Sequence, residues 1–173
     1  MSIQKGTYFE ETQHYSTAWV WLLVLALQTL LFSFLIFNFD EVGANNFTIK
    51  QFYLMWGIFS LMFLGLYILF KTMHLYFKVG NSEIIYQFRP FMKRQKSIKI
   101  DEISSYSVRE YKAIKEFGGN GYKPNGVNKK APSYTVSGKY GMEVKFKGGR
   151  TIFIGTQRKE ALKYAMEKLM QKG

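Results

Sequence analysis

The sequence predicts a two-helix transmembrane hairpin joined to one mainly β domain, seven strands in an open barrel or sandwich capped by a C-terminal α-helix. Three observations carry this expectation. Two long apolar runs without a charge lie near the N-terminus. Charge is segregated, with 22 of the 24 Lys and Arg residues at or after Lys71. Beyond Lys71 the apolar residues alternate singly, then switch to a helical period at the end. A chain of 173 residues has room for one domain plus a short appendage. The expected divisions are a cytoplasmic leader over 1–17, a transmembrane hairpin over 18–70, and a cytoplasmic β domain over 71–173.

The first span, Ala18 to Phe37, reads AWVWLLVLALQTLLFSFLIF. As a helix at about 1.5 Å per residue it covers about 30 Å, the thickness of a hydrocarbon core, with every backbone group bonded internally. The second, Phe52 to Phe70, reads FYLMWGIFSLMFLGLYILF and stops at Lys71. Tyr15, Trp19, Trp21, Tyr53 and Trp56 near the ends suit the headgroup level. A cleaved signal peptide fits poorly, because the leader carries Glu10 and Glu11 and the apolar run exceeds a signal core. Buried core helices of a soluble protein fit poorly too, since neither run has a polar stripe.

The connection NFDEVGANNFTIKQ holds Asp40, Glu41 and Lys50 and is net acidic, whereas Lys71 and Lys78 follow the second span. Positive flanks stay cytoplasmic, so both termini are expected inside. Gln28, Thr29 and Ser33 in the first span and Gly57, Ser60 and Gly65 in the second are small or hydrogen-bonding residues of the kind that let membrane helices pack. No ionisable residue interrupts either span to mark a transport path.

After Lys71, Leu75, Phe77 and Val79 alternate with His74, Tyr76 and Lys78, and Gly80-Asn81 makes a turn. Ile84, Tyr86 and Phe88 form the next strand, which Arg89-Pro90 breaks, and Ile98 with Ile100 mark a third. Ile103 to Tyr111, Tyr134 to Ser137, Met142 to Phe146 and Thr151 to Ile154 complete seven, the last two joined by Lys147-Gly148-Gly149-Arg150. Leu162, Ala165, Met166, Leu169 and Met170 then repeat at helical spacing with lysines and glutamates opposite, and Thr156 is the expected N-cap.

The stretch VSGKYGMEVKFKGGRTIFIGTQRKEAL, Val136 to Leu162, resembles the end of small bacterial membrane proteins that carry a PH-like (bacterial pleckstrin-homology) domain. Arg109-Glu110-Tyr111 and the run from Glu116 to Tyr122 resemble the middle of the same family, as does the two-span layout. The resemblance implies a PH-like fold in the bacterial cytoplasmic (inner) membrane and a capacity to self-associate. It implies no activity.

Between Tyr111 and Tyr134 runs a long segment rich in Gly, Lys, Asn and aromatic residues. Lys112, Lys115, Lys123, Lys129 and Lys130 interleave there with Phe117 and Tyr122, a set able to grip an anionic headgroup or meet a partner while rings sit at an interface. The same composition suits a solvated loop. Gly118-Gly119-Asn120-Gly121 lacks the lysine and hydroxyl of a phosphate loop.

The absence of cysteine excludes disulfides, thiolate metal sites and a cysteine nucleophile. With only His14 and His74, and with Asp101 and Glu102 adjacent rather than opposed, the sequence offers no catalytic, metal or cofactor site. A net charge of +12 raises the question of nucleic acid, but anionic lipid is the nearer target for a domain tethered to a membrane. The expectation is a membrane-anchored, non-enzymatic interaction module that binds anionic lipid or a protein partner. The alternative is an accessory subunit of a membrane transport or export complex.

Overall fold

The structure, a computed structural model, describes residues 6–16, 18–37, 49–126 and 131–171. The chain divides into two compact units, Ser16–Thr72 and the combination of Met1–Tyr15 with Met73–Gly173.

The first unit is helical. Helix α1 spans Ala18–Phe37 and α2 spans Ile49–Thr72, so the second apolar run lies within a longer helix than its sequence limits indicated. Tyr53–Thr72 within α2 is long and apolar enough to cross a membrane by length and composition, while Trp21–Phe34 within α1 is a shorter apolar stretch. The two helices meet through the polar residues the spans contain. Gln28 Nε2 donates to Ser60 Oγ at 2.9 Å, and the Trp21 and Tyr67 rings lie 4.6 Å apart. Thr29 turns its hydroxyl back to the Leu25 carbonyl at 2.8 Å, so its polar group is satisfied within its own helix.

The second unit is mainly β. Its first sheet contains β1 (Thr7–His14), β2 (His74–Gly80), β3 (Glu83–Arg89) and β4 (Lys96–Lys99), antiparallel and in that order. Alternation decides which face is buried. Leu75, Phe77 and Val79 of β2 and Ile84, Tyr86 and Phe88 of β3 point inward, and each fully buried side chain of this kind contributes about 1.5–3 kcal/mol. A 3₁₀ turn, Ile100–Glu102, carries exposed Asp101 and Glu102 and leads into β5 (Ile103–Glu110). A short helix α3 (Ala113–Phe117) follows, then β6 (Gly121–Lys123), β7 (Ser133–Thr135), β8 (Tyr140–Phe146) and β9 (Thr151–Thr156). The second sheet has the order β5-β8-β9-β7-β6, with β7 parallel to β9 and the other pairs antiparallel. Helix α4 (Lys159–Met170) buries Leu162, Ala165, Met166 and Leu169 and packs on β1, β2 and β5.

Nine strands, rather than seven, lie among the described residues. One addition is β6. The other is β1, which comes from the segment read as a leader and pairs with β2 along its length, from Phe9↔Val79 to His14↔His74. Its inward face is partly polar, and the Glu11 carboxylate and the Gln13 amide N–H find partners across the sheets, while Gln13 Oε1 is buried without one. The buried Glu11 carboxylate accepts the Thr156 hydroxyl at 2.6 Å and the Gln157 N–H at 3.0 Å, and Gln13 Nε2 donates to the Gly155 carbonyl at 2.9 Å. Thr156 is therefore the buried end of β9 and not the cap of α4. Its hydroxyl accepts the Arg158 N–H at 3.0 Å, and Arg158 occupies the cap position.

Candidate functional site

The long segment after β5 is built into the β unit rather than suspended from it. Tyr111 turns inward, and Glu116 of α3 reaches back so that its Oε1 accepts the Lys112 N–H at 2.8 Å. Its Oε2 accepts Arg109 Nη1 at 2.7 Å, and Arg109 Nε donates to Glu143 at 3.1 Å. The guanidinium also lies 5.0 Å from the Phe153 ring centroid. Burial works against the Arg109 charge, but the bonds to Glu116 and Glu143 outweigh it and hold its pKa above the ordinary value. Gly118, at φ 67°, ends α3 in the left-handed conformation, with its N–H on the Ile114 carbonyl and that of Gly119 on Ala113, both at 2.9 Å.

These contacts reassign several of the residues that the sequence put forward. Phe117 is 3% exposed and packs between Tyr111 and Phe153, with ring centroids 5.9 and 4.8 Å away, so it is a core residue and not a surface contact. Lys123 turns its ammonium inward to the carbonyls of Phe117 and Gly119, tying β6 to the end of α3, and burial pushes its pKa down. Lys112 and Lys115 are exposed on either side of α3's first turn. Between them Ile114 is 82% exposed, a residue the sequence reading passed over. Tyr122 is half-buried. Lys129 and Lys130 lie outside the described residues.

Tyr122 is the hinge of an aromatic ledge that joins the two sheets. Its ring is stacked on Phe91 at 5.4 Å and 6°, and lies 5.7 Å from both Phe88 and Tyr134. Phe91 belongs to the turn between β3 and β4, and it too was missed. The signal was present in Arg89-Pro90-Phe91-Met92-Lys93-Arg94-Gln95-Lys96, an apolar pair enclosed by four cations where a strand breaks.

Among the described residues the clefts on this unit include a shallow one of about 470 Å³ at the β8–β9 turn, lined by Asp101, Glu102, Phe146, Lys147, Gly148 and Arg150, and two more. One, of about 370 Å³, is lined by Arg109, Glu116, Phe117, Glu143, Thr151 and Phe153, and its cation is already bonded to two carboxylates. The other, of about 290 Å³, includes Tyr86, Lys96, Tyr134 and Arg150, and burial pushes both phenols above their ordinary pKa, so they stay neutral. Among the described residues no three His, Asp or Glu side chains gather as a metal cluster. Compared with protein-family models, with curated proteins and with solved structures, the chain finds no match.

Proposed function

We propose that this chain is a membrane-anchored, non-enzymatic interaction module of the bacterial inner membrane. Helices α1 and α2 cross the bilayer as a hairpin, and the β unit, PH-like in plan, works at the cytoplasmic face against anionic lipid. The observation that carries the reading is the uncovered apolar surface of the two helices. Among the described residues, all the exposed large hydrophobic side chains except Phe91, Ile114 and Tyr164 lie on them, with Leu22 at 69% and Leu61 at 70%. Water does not tolerate an apolar surface of that extent, and lipid does.

Further observations support it. Gln28 meets Ser60 while Trp21 meets Tyr67, an antiparallel order of contacts that suits a hairpin, and the bond from Gln28 Nε2 to Ser60 Oγ is of the kind that links membrane helices. Two sheets covered by a C-terminal helix suit a PH-like plan. From Lys71 onward the chain carries 22 basic against 8 acidic residues, and each cation near an anionic leaflet contributes about 1 kcal/mol.

Because the chain has no cysteine, single cysteines report topology cleanly. In intact spheroplasts, an impermeant maleimide is expected to label Asn45→Cys and to reach Gly148→Cys only after lysis. Recovery of the protein in the alkaline-soluble fraction, or labelling of Gly148→Cys from outside, refutes the reading.

A further inference from the structure

The turn between β3 and β4 presents Phe91 in a fixed way. Met92 N–H donates to the Phe88 carbonyl at 2.8 Å, and the buried Gln87 amide donates to the carbonyls of Met92 at 3.0 Å and Lys93 at 3.3 Å. Met92 is buried, and its sulfur accepts the Phe88 N–H at 3.4 Å. With Met92 held inward, Phe91 stands outward at 48% exposure, backed by the stacked Tyr122 ring and by Phe88 at 6.1 Å. A single exposed phenylalanine is ordinary on a protein surface. This one is set on an aromatic support and is flanked in sequence by exposed Arg89, Lys93, Arg94 and Lys96, and no acidic residue falls between Glu83 and Asp101.

The place of the turn in the chain gives the pattern its meaning. Arg89 pairs with His74, and His74 pairs with His14, so these three residues form one rung at the end of the first sheet. Three residues separate His14 from α1, and one separates α2 from His74. The rung from which the turn projects is therefore the rung that is covalently tethered to both apolar helices.

We propose that the β3–β4 turn is a bilayer contact, with Phe91 seated at the headgroup level of an anionic leaflet and Arg89, Lys93, Arg94 and Lys96 on its phosphates. The inference rests on the reading of α1 and α2 as membrane spans, and it adds the docking residues and the lipid class. An aromatic ring suits the interfacial layer, and clustered cations beside it are drawn to phosphatidylglycerol by an attraction that salt screens within about 10 Å.

The test uses the full chain in vesicles of phosphatidylcholine alone or with about a quarter phosphatidylglycerol, each doped with brominated lipid. An environment-sensitive fluorophore is attached to Phe91→Cys, to Leu64→Cys in α2, or to Gly148→Cys in the β8–β9 turn. The expected result is quenching of the Leu64→Cys label in both vesicles. The Phe91→Cys label is quenched only in the anionic ones, and that quenching is lost in high salt or with Lys93→Glu and Arg94→Glu. A quenched Leu64→Cys label beside a Phe91→Cys label that behaves like Gly148→Cys overturns the docking site and leaves the anchor standing. Both labels unquenched overturns the two together. A Phe91→Cys label open in vesicles but shielded from iodide in native membranes replaces lipid with a protein as the occupant.

Discussion

Tyr15, the last residue before the chain leaves the β unit, shows how much a single side chain here depends on its surroundings. Its hydroxyl donates to the Thr135 carbonyl at 3.2 Å and its ring lies 6.5 Å from Phe88. Burial, reinforced by Tyr111, pushes its pKa from 10.0 to about 12. The fold thus prefers the neutral phenol, and the associated stability is complete below pH 10 and is lost as the pH rises towards 12. Tyr15→Phe is expected to lower stability at neutral pH by about 1 kcal/mol through the lost bond. It is also expected to flatten the alkaline decline, as measured by thermal unfolding in detergent across that window. Some decline will persist, because Tyr86 and Tyr134 are also raised by burial. At this scale the sequence was only partly legible. Lysine and aromatic residues interleaved in a loop look alike whether they face water or fold back. What sent Phe117 inward was the aromatic pocket that Tyr111 shares with the distant Phe153, and what sent Lys123 inward was the pair of open carbonyls at the end of α3, which exist only once that helix has formed.

Among the elements, β2, β3 and β8 were legible because apolar residues fall at every second position, β9 because a short apolar run follows a Gly-Gly turn, and α4 because its apolar residues keep helical spacing. Strand β1 was not, because Glu11 and Gln13 occupy its inward face and break the binary pattern. Their cost is offset only by partners 142 to 146 residues away, which no local reading finds. Glu11 joins β1 to the end of β9, so Glu11→Ala strands the Thr156 hydroxyl and the Gln157 N–H. Bonds to a charged acceptor contribute about 1.5–3 kcal/mol. Hydrogen exchange of the amides in residues 7–14 and 156–158 is therefore expected to quicken by roughly ten- to a hundredfold, with α1 and α2 unaffected. Unchanged exchange in β1 means that pairing with β2 alone holds the strand, and that the bridge to β9 contributes little.

For the whole molecule, the consequence of β1 is that the helices interrupt the β unit rather than precede it: Tyr15 and Met73 end the two pieces of that unit, and His14↔His74 is the last paired rung before the break. In an antiparallel ladder the next positions after that rung are Tyr15 and Met73, which a two-residue Asn-Gly turn can join with the twist that hairpins favour. Replacing Ser16–Thr72 by Asn-Gly is therefore expected to give a chain that stays in the supernatant on ultracentrifugation and unfolds in one cooperative transition. A chain that begins at Met73 keeps α4 and both sheets but loses β1, which leaves β2 as an open edge and Gly155, Thr156 and Gln157 without Glu11 and Gln13. That shorter chain is expected to aggregate or to unfold without a sharp transition. Equal behaviour of the two would make β1 an accessory strand and return residues 1–17 to the leader that composition alone describes. The expected difference would instead make the N-terminal strand part of the fold, so that the β unit is complete only after the chain has passed through both helices and returned.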